Sequence, residues 1–368
     1  MDLRLARKTK RKLKLIDIDI EDLRPFGLSQ HVLNEVAAMQ ATPGQRLMRV
    51  VETQRDAFTL HDGYGEYHAR IVPRVLLALQ AQGDNLCIGD WVLAQPDDAG
   101  DIWIAARVPP LTQIARRAND GRRQPLASNV DTALLTMGLD DDFNMRRMER
   151  YIAMVRACGV EAVVVLTKAD TCEDAPARAA PLRQRLPSDV AVVVVDGRSP
   201  QAGEALAPWL GTGRTLVLLG TSGAGKSTLT NTLAGAALQR TQDVRGSDGR
   251  GQHTTTTRSM HQCYEGACII DTPGLRTWRP DADAAALAAT FDDIESLAAH
   301  CQFRNCRHEH EPGCAVRALV EADRLLNYHK LLRDAQRTEL TPLQRIDQRR
   351  KWKKLGKAGS ERLRQKHG

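Results

Sequence analysis

The pattern of apolar and polar positions first indicates a region of short strands. From about residue 47 to 108, short runs of alternating polarity are separated by turn sequences such as His61-Asp62-Gly63. Alternation with a period of two is typical of half-buried strands. The runs predict five strands: LMRVVET, DAFTLH, EYHARIV, GDWVLAQ and DIWIAARV. Five short strands in so small a region favour a closed barrel of the OB type, a common oligonucleotide-binding scaffold, although a purely structural barrel would give the same pattern.

The pattern changes from about residue 129 to 277. Near-continuous runs of Val, Ile and Leu, such as AVVVLTK, VAVVVVD, TLVLLG and CIIDTPG, alternate with helical segments, one of them over 145–158. Such runs are typical of parallel strands covered by helices on both faces, so we predict an α/β domain here. Residues 278–340 have a mainly helical pattern. Residues 15–45 include a helical segment to which the sequence assigns no function.

A phosphate-binding sequence lies at one strand-to-helix junction. GTSGAGKS follows the strand 215–219 and matches G-x-x-x-x-G-K-[ST] in full. Backbone N–H groups and the helix N-terminus would bind phosphates, Lys226 would reach the β- and γ-phosphates, and Ser227 would ligate Mg²⁺. A plain glycine-rich turn is the alternative, and the flanking strand and helix disfavour it. The predicted nucleotide-binding residues here are Gly220, Thr221, Ser222, Gly223, Ala224, Gly225, Lys226, Ser227 and Thr228.

Two further motifs end buried strands. In Asp271-Thr-Pro-Gly274 the carboxylate would hold Mg²⁺ through water and the glycine N–H would contact the γ-phosphate, unless the sequence is only a capped turn. In Thr167-Lys168-Ala-Asp170 the final carboxylate can accept two hydrogen bonds from guanine while the lysine stem packs over the base. Adenine lacks those two donors and would leave the carboxylate unpaired. The sequence therefore predicts a guanine-nucleotide site.

The segment between these motifs has the features of a switch loop. It contains Gly249-Arg-Gly-Gln-His253, followed by a run of threonines. One of Thr254–Thr256 is expected to bind Mg²⁺ and the γ-phosphate, and the sequence does not choose among them. Leu275 follows the D-T-P-G motif, where many small GTPases have a glutamine that orients the attacking water. His253 is the candidate catalytic replacement, with a structural role in the switch as the alternative.

A compact set of metal-ligating residues follows. Cys301-x₄-Cys306-x-His308-x₅-Cys314 supplies three thiolates and one imidazole, the donor set of a closed tetrahedral zinc site without an open catalytic position. Reduced buried cysteines beside a surface histidine are the alternative. The chain has eight cysteines in 368 residues, which does not indicate a disulfide-stabilised scaffold.

Charge is concentrated at the two ends of the chain. The net charge is +7, whereas residues 1–14 alone carry +6 and residues 343–368 carry +8. Basic ends on an acidic body favour a polyanionic partner, although they could be solubilising tails. Trp352 within RRKWKK favours RNA, because an indole can stack on a base. No apolar run is long enough for a membrane span and no secretory signal is evident, so we expect a cytoplasmic protein without a membrane partner.

The order of the motifs is permuted, because T-K-x-D precedes the P-loop. Domain termini often lie close together, so a fold can tolerate such a rearrangement. With the permuted motifs and the zinc pattern, four further segments make the chain resemble the small ribosomal subunit biogenesis GTPases of bacteria, the RsgA family, over about residues 45–335. These segments are Gly89-Asp90-Trp91, Ala127-Ser-Asn-Val-Asp131, Arg147-x-x-Arg150-Tyr151 and the switch sequence at 249–256.

The resemblance implies a multidomain protein with an OB-type β-barrel, an α/β circularly permuted P-loop GTPase domain and a C-terminal, mainly α-helical zinc-binding domain. The expected segments are an N-terminal extension (1–45), the barrel (46–115), the GTPase domain (120–280), the zinc domain (281–340) and a basic tail (341–368). Thr167 departs from the asparagine of many GTPases, and the N-terminal extension is long for the family.

The resemblance also implies an activity. The expected reaction is hydrolysis of GTP to GDP and phosphate, with Mg²⁺, stimulated by the small (30S) ribosomal subunit and its 16S rRNA during late maturation. We expect a monomer that associates with that particle. A GTP-binding module with little turnover, a P-loop kinase or ATPase, and a GTPase acting on tRNA or another RNA are the alternatives.

Overall fold

The computed structural model describes residues 10–13, 16–54, 57–117, 122–235, 258–272 and 284–339. The chain divides into two compact units, residues 1–279 and 280–368. The strands are β1 (Lys10–Leu13), β2 (Ile16–Asp19), β3 (Arg46–Gln54), β4 (Ala57–His61), β5 (Glu66–Ile71), β6 (Trp91–Pro96), β7 (Ile102–Arg107), β8 (Gln113–Arg117), β9 (Arg123–Ser128), β10 (Thr132–Gly138), β11 (Glu161–Thr167), β12 (Ala191–Val194), β13 (Thr215–Leu219), β14 (Arg258–Gln262) and β15 (Cys268–Asp271).

The helices, with the short 3₁₀ turns left aside, are α1 (Ile20–Leu23), α2 (Gln30–Ala38), α3 (Pro73–Ala81), α4 (Met145–Arg156), α5 (Ala175–Arg185), α6 (Gln201–Leu206), α7 (Lys226–Ala234), α8 (Ala284–Thr290), α9 (Asp292–Ala298), α10 (Ala315–Leu319) and α11 (Ala322–Glu339). None of the helices in these ranges combines the length and apolarity needed to cross a membrane.

Strands β3 to β7 form a closed five-stranded barrel. Each strand pairs with two others in the order β3-β4-β5-β7-β6, and β6 returns to β3. Alternate side chains point inward, and those of Val50, Leu60, Val92 and Ile104 are fully buried there. The five predicted runs all coincide with these strands, and the predicted barrel is confirmed. The sequence did not indicate α3, which lies between β5 and β6.

The segment before the barrel packs on it through an apolar cluster. Ile18 and Leu23, from β2 and α1, and Val32 and Val36, from α2, are buried together with Trp91 of the barrel. The spacing of Val32 and Val36 places both on one face of α2, and Ser29 caps that helix by accepting from the N–H of Val32. This segment therefore completes the hydrophobic core on one side of the barrel.

The second half of the first unit is a six-stranded sheet in the order β12-β11-β10-β13-β15-β14. The first five strands are parallel and β14 is antiparallel to β15. All five residues of β13 and all seven of β10 are buried, as expected for central strands covered on both faces. The predicted α/β domain is confirmed, and the strand that ends in T-K-x-D lies two positions from the strand that leads to the P-loop.

The barrel and the α/β sheet are joined by one short pairing between two strands, β14 and β3. Arg258 and Ser259 of β14 pair with Thr53 and Glu52 of β3, so β3 belongs to both structures. A hairpin of β8 and β9 connects the barrel to β10 and was not predicted.

A buried arginine reinforces this junction. The Arg49 guanidinium is fully buried and donates hydrogen bonds to the backbone carbonyls of Phe26, Gly89 and Asn129 and to the hydroxyl of Thr215. Its partners lie before the barrel, within it, in the connection that follows β9, and at the first residue of β13. One side chain thus ties the N-terminal segment and the barrel to the strand that carries the P-loop.

The second unit contains helices α8 to α11 between residues 284 and 339, with a non-helical segment from 299 to 314. Phe291, Ile294, Val316 and Leu331 form its core. The guanidinium of Arg324 in α11 bonds both carboxylate oxygens of Asp293 at 2.6 and 2.8 Å, which fixes α11 against α9. The predicted helical domain around the Cys/His cluster is confirmed.

Candidate nucleotide site and metal centre

The P-loop begins where the buried strand β13 ends. Backbone constraints at two glycines explain the local sequence: a Cβ on Gly220 would lie 2.3 Å from the carbonyl oxygen of Thr136, and Gly225 has a φ of +87°. The first position admits no side chain because the loop passes directly over β10. The second needs the left-handed region that favours glycine. Helix α7 begins at Lys226, so the helix N-terminus faces the loop.

Lys226 points back into the P-loop. Its Nζ donates to the carbonyls of Gly220 at 3.1 Å and Thr221 at 2.8 Å, and the residue is only 7% exposed. Burial lowers the pKa of Lys226, while the charge of Asp271 opposes that shift. A desolvated ammonium held by two carbonyls gains from an anionic partner, which is the role predicted for it with the β- and γ-phosphates.

Asp271 lies beside the P-loop at the end of β15. This strand is parallel to β13, and Asp271 is in register with Leu218, two residues before Gly220. The next residue, Thr272, donates its hydroxyl hydrogen bond to the Leu218 carbonyl at 2.8 Å. The structure therefore brings the carboxylate predicted for Mg²⁺ to the same sheet edge as Lys226 and Ser227.

The base-specificity motif also reaches this edge. Thr167, the last residue of β11, donates from Oγ1 to the carbonyl of Ala224 in the P-loop at 2.7 Å. Lys168 adopts a left-handed conformation with φ of 60°, after which Asp170 lies exposed in a single 3₁₀ turn. An exposed carboxylate next to the P-loop can accept hydrogen bonds from a bound base.

An acidic loop between β10 and α4 contacts both motifs, and sequence reasoning missed it. Asp140 forms a 2.6 Å ion pair with Lys168, and Asp142 accepts a 2.5 Å hydrogen bond from the Thr221 hydroxyl. Burial raises the pKa of Asp140, but the Lys168 ammonium and backbone N–H groups outweigh it, so the net shift is downward. The run of three aspartates at 140–142 was the available signal.

A second loop was also missed. The segment after β12, Asp196-Gly-Arg-Ser199, follows Val195, whose carbonyl accepts from the N–H of Ala169 in the base motif. The Gly197 carbonyl accepts from Thr232 of α7 at 2.7 Å. The segment from Val195 to Ser199 thus contacts both the base motif and α7, and the sequence signal for it was a turn after a run of valines.

Several predicted site residues lie outside the described ranges. They include the switch sequence with His253 and Thr254–Thr256, and Gly274 with the neighbouring Leu275. Their roles stay predictions.

In the second unit, Cys301, Cys306, His308 and Cys314 converge. One ligand atom from each lies within 4.8 Å of all the others. The Sγ atoms of Cys301 and Cys314 are 3.9 Å apart, and His308 Nδ1 is 3.6 and 3.4 Å from them. A tetrahedral zinc ion with its usual bond lengths would require edges of about 3.8 Å between sulfurs and about 3.6 Å between sulfur and nitrogen. The four residues therefore fit a metal ion.

The loop that carries His308 is ordered by a carboxylate. Glu311 accepts hydrogen bonds from the backbone N–H groups of Arg307, Glu309 and His310, at 2.9 to 3.1 Å. These bonds lower the pKa of Glu311 to about 2. They hold the loop in which His308 takes its left-handed conformation, with φ of 60°.

Comparison with known proteins identifies the family. Residues 108–280 match the family model described as RsgA GTPase, and residues 215–346 match one described as 50S ribosome-binding GTPase. A protein named small ribosomal subunit biogenesis GTPase RsgA from Xanthomonas campestris pv. campestris is 43% identical over 303 residues, covering 80% of this chain and 82% of the relative. A protein of the same name from Xanthomonas axonopodis pv. citri is 41% identical over the same length. The chain belongs to the RsgA GTPase family.

Solved structures share the fold. YjeQ from Thermotoga maritima matches with a TM-score of 0.57 and 21% identity, covering 79% of this chain and 99% of that one. YloQ, a circularly permuted GTPase, matches with a TM-score of 0.55 and 18% identity, covering 81% and 97%. The predicted family and fold class are confirmed, including the permuted order of an RsgA GTPase domain.

Proposed function

We propose that this chain hydrolyses GTP to GDP and phosphate and couples that reaction to binding the small ribosomal subunit during its late maturation. The observation that carries the proposal is the convergence of Lys226, Asp271 and Thr167-Lys168-x-Asp170 on one sheet edge, in a member of the RsgA GTPase family. The partner is taken from the names of the relatives, which are small ribosomal subunit biogenesis GTPases.

The proposed roles follow from position. Lys226 and the backbone N–H groups of residues 220–228 bind the phosphates. Ser227 and Asp271 hold Mg²⁺, which neutralises phosphate charge, and Asp170 selects guanine. His253 aids hydrolysis and Gly274 contacts the γ-phosphate; both assignments rest on the sequence motifs.

The cluster in the second unit is proposed to hold one structural Zn²⁺. Three thiolates and one imidazole are the donors that zinc prefers, and four protein ligands leave no position for a substrate. The barrel and the basic ends are proposed to bind 16S rRNA, and the protein is proposed to act in the cytoplasm as a monomer on the particle. The basic tail, 341–368, and most of residues 1–14 lie outside the described ranges.

Steady-state GTP hydrolysis tests the proposal. The purified full-length chain would be assayed alone and with 30S subunits, 50S subunits or tRNA, with Lys226→Ala to correct for contaminating activity. We expect slow turnover alone and strong stimulation by 30S subunits. Tight GTP binding with equally slow turnover in every mixture would instead support a binding module, and stimulation by tRNA would point to a different RNA substrate.

A further inference from the structure

An arginine beside the P-loop has no role in the site described above. Arg147 Nη1 lies 2.6 Å from Asp142 Oδ2 and 3.4 Å from Thr221 Oγ1. The Thr221 hydroxyl donates to the same carboxylate oxygen at 2.5 Å. Arg147, Asp142 and Thr221 thus form a closed cluster at the second residue of the phosphate-binding loop.

The position of Arg147 is fixed by the start of α4. It is the third residue of that helix, and its backbone N–H donates to the Asn144 side chain, the N-cap, at 2.9 Å. Met148 and Ile152, on the next turns, are buried in the core. The Arg147 side chain is nevertheless 25% exposed. A rigid backbone therefore presents a guanidinium that solvent or a ligand can reach.

Thr221 lies between two cations. Its carbonyl accepts from Lys226 Nζ at 2.8 Å, and its hydroxyl lies against Arg147. Lys226 is the ammonium expected to bind the β- and γ-phosphates. Arg147 and Lys226 therefore contact the same P-loop residue, Thr221.

Two aspartates of the acidic loop, Asp140 and Asp142, are each paired with a cation. Asp142 lies next to the P-loop and would repel a triphosphate if it were unpaired. The structure pairs it with Arg147, as it pairs Asp140 with Lys168. Each of these two carboxylates is thereby matched by a cation that also faces a nucleotide motif.

We propose that Arg147 is a catalytic residue of the GTPase reaction. Held by Asp142, its guanidinium donates to the γ-phosphate of GTP and stabilises the charge that spreads over the phosphoryl oxygens during hydrolysis. The proposal rests on the proposed GTP site. Leu275, the residue after the D-T-P-G motif, offers no hydrogen-bond donor, so an arginine beside the P-loop would add to the charge stabilisation expected from Lys226 and Mg²⁺. An arginine supplied by the same chain serves this purpose in other nucleotide hydrolases.

The test compares nucleotides that differ in the γ-phosphate. Binding of fluorescent, non-hydrolysable GTP analogue and of fluorescent GDP would be titrated for the full-length wild type, Arg147→Ala and Arg147→Lys, with Mg²⁺ present. Arg156→Ala is the matched control, because Arg156 lies on the same helix and pairs with Asp189 at 2.5 Å, in a contact that involves neither the P-loop nor the base motif. Single-turnover hydrolysis of GTP would be measured on the same samples.

We expect Arg147→Ala to weaken binding of the GTP analogue by about tenfold, as one charge-assisted hydrogen bond implies, and binding of GDP by less than about twofold. Its single-turnover rate should fall by at least about tenfold. Lysine should restore part of the affinity but less of the rate, because it lacks the planar fork. Arg156→Ala should match the wild type in both affinities and in the single-turnover rate.

Two results would overturn the proposal for Arg147. If Arg147→Ala lowered the affinities for the GTP analogue and for GDP equally, Arg147 would only support the P-loop. If it lowered neither affinity, Arg147 would not reach the phosphates. If the wild type bound neither nucleotide, the proposed function would itself be wrong, and this inference with it. If the wild type binds both, only the Arg147 variants decide the matter.

Discussion

Thr167 Oγ1 donates a 2.7 Å hydrogen bond to the carbonyl oxygen of Ala224. This bond joins the base-specificity motif to the P-loop, two segments that lie 57 residues apart in the sequence. Many GTPases have an asparagine at the position of Thr167. Here a shorter side chain spans the gap because β11 and the P-loop approach closely; a Cβ on Gly225 would lie 3.2 Å from the same hydroxyl.

Replacing Thr167 with valine should weaken guanine-nucleotide binding. Valine keeps the shape but leaves the Ala224 carbonyl without this donor, at a cost of about 1–2 kcal/mol or roughly tenfold in affinity. Titration with fluorescent GDP would measure this, and Thr167→Ser should keep most of the affinity. The control is Thr132→Val, which removes a buried hydroxyl at the first residue of β10, the end of that strand away from Thr167. Equal affinities of Thr167→Val and wild type would contradict the tether.

Asp170→Asn should change base preference. Asparagine loses the second acceptor for the guanine N–H groups but can donate to the carbonyl that xanthine carries in place of the amine. We expect GTP affinity to fall by at least about a hundredfold and xanthosine triphosphate to become the better ligand. Competition between the two nucleotides measures the ratio. An unchanged preference for guanine would show that Asp170 does not contact the base.

Arg49→Met should destabilise the first unit. The change removes donors from three backbone carbonyls and a hydroxyl, all of them in buried or partly buried positions. Burial lowers the pKa of Arg49, while nearby acidic groups such as Asp131 and Asp90 oppose the shift. The main loss expected in the variant is that of the hydrogen bonds to the buried acceptors. We expect the free energy of unfolding to fall by about 3 kcal/mol or more. Urea unfolding followed by tryptophan fluorescence would measure it; a change below about 1 kcal/mol would contradict the assigned role.

Protonation of the buried Asp90 should raise the free energy of unfolding in mild acid relative to neutral pH. Burial raises its pKa from 3.8 to about 6, although Arg107 and the N–H of Cys87 oppose the shift. Since the folded pKa lies above the unfolded one, the native state binds the proton first, and the free energy of unfolding rises as the pH falls from 7 towards 4. The gain from this group is about 3 kcal/mol at most.

Comparison with Asp90→Asn isolates that contribution. The variant cannot titrate at this position, so its unfolding free energy should depend less on pH between 7 and 5 than that of the wild type. Urea unfolding at both pH values gives the difference. Parallel curves for the two proteins would show that Asp90 does not titrate in this range.

Removing a ligand of the metal cluster should release the metal. The purified chain is expected to contain one zinc ion, and Cys314→Ser should contain none, because three remaining ligands hold zinc far more weakly. Elemental analysis and circular dichroism would measure metal content and loss of helix. Cys158→Ser, outside the cluster, should keep its zinc. Wild-type protein without zinc after purification under metal-replete conditions would contradict the assignment.

The sequence predicted the parts of the fold whose causes are local. Alternation of polarity gave the five barrel strands, because one face of each is buried in the barrel. Motifs at strand ends predicted the nucleotide site, and the structure brings those in β11, β13 and β15 to one edge, because parallel strands place their carboxyl ends together regardless of chain order. This is why the permuted order of T-K-A-D and GTSGAGKS did not obscure the site.

The parts that were missed depend on long-range contacts. Helix α2 is amphipathic, but nothing in its own pattern says that Val32 and Val36 pack against Trp91. The roles of Asp140 and Asp142 depend on cations far along the chain, since Lys168 and Thr221 meet them only in the folded sheet. The short strand β14 has mixed polarity, and pairing with β15 and β3 determines its conformation.

The pairing of β14 with β3 has a thermodynamic consequence. Arg258 and Ser259 lie just beyond the predicted switch sequence at 249–256 and pair with a barrel strand, so one run of paired strands links the barrel to the sheet that carries the nucleotide site. If a ligand of the barrel favours one arrangement of these strands, it changes the affinity for GTP, and GTP must change the affinity for that ligand by the same factor. Binding at the barrel and binding at the nucleotide site would then be coupled in both directions.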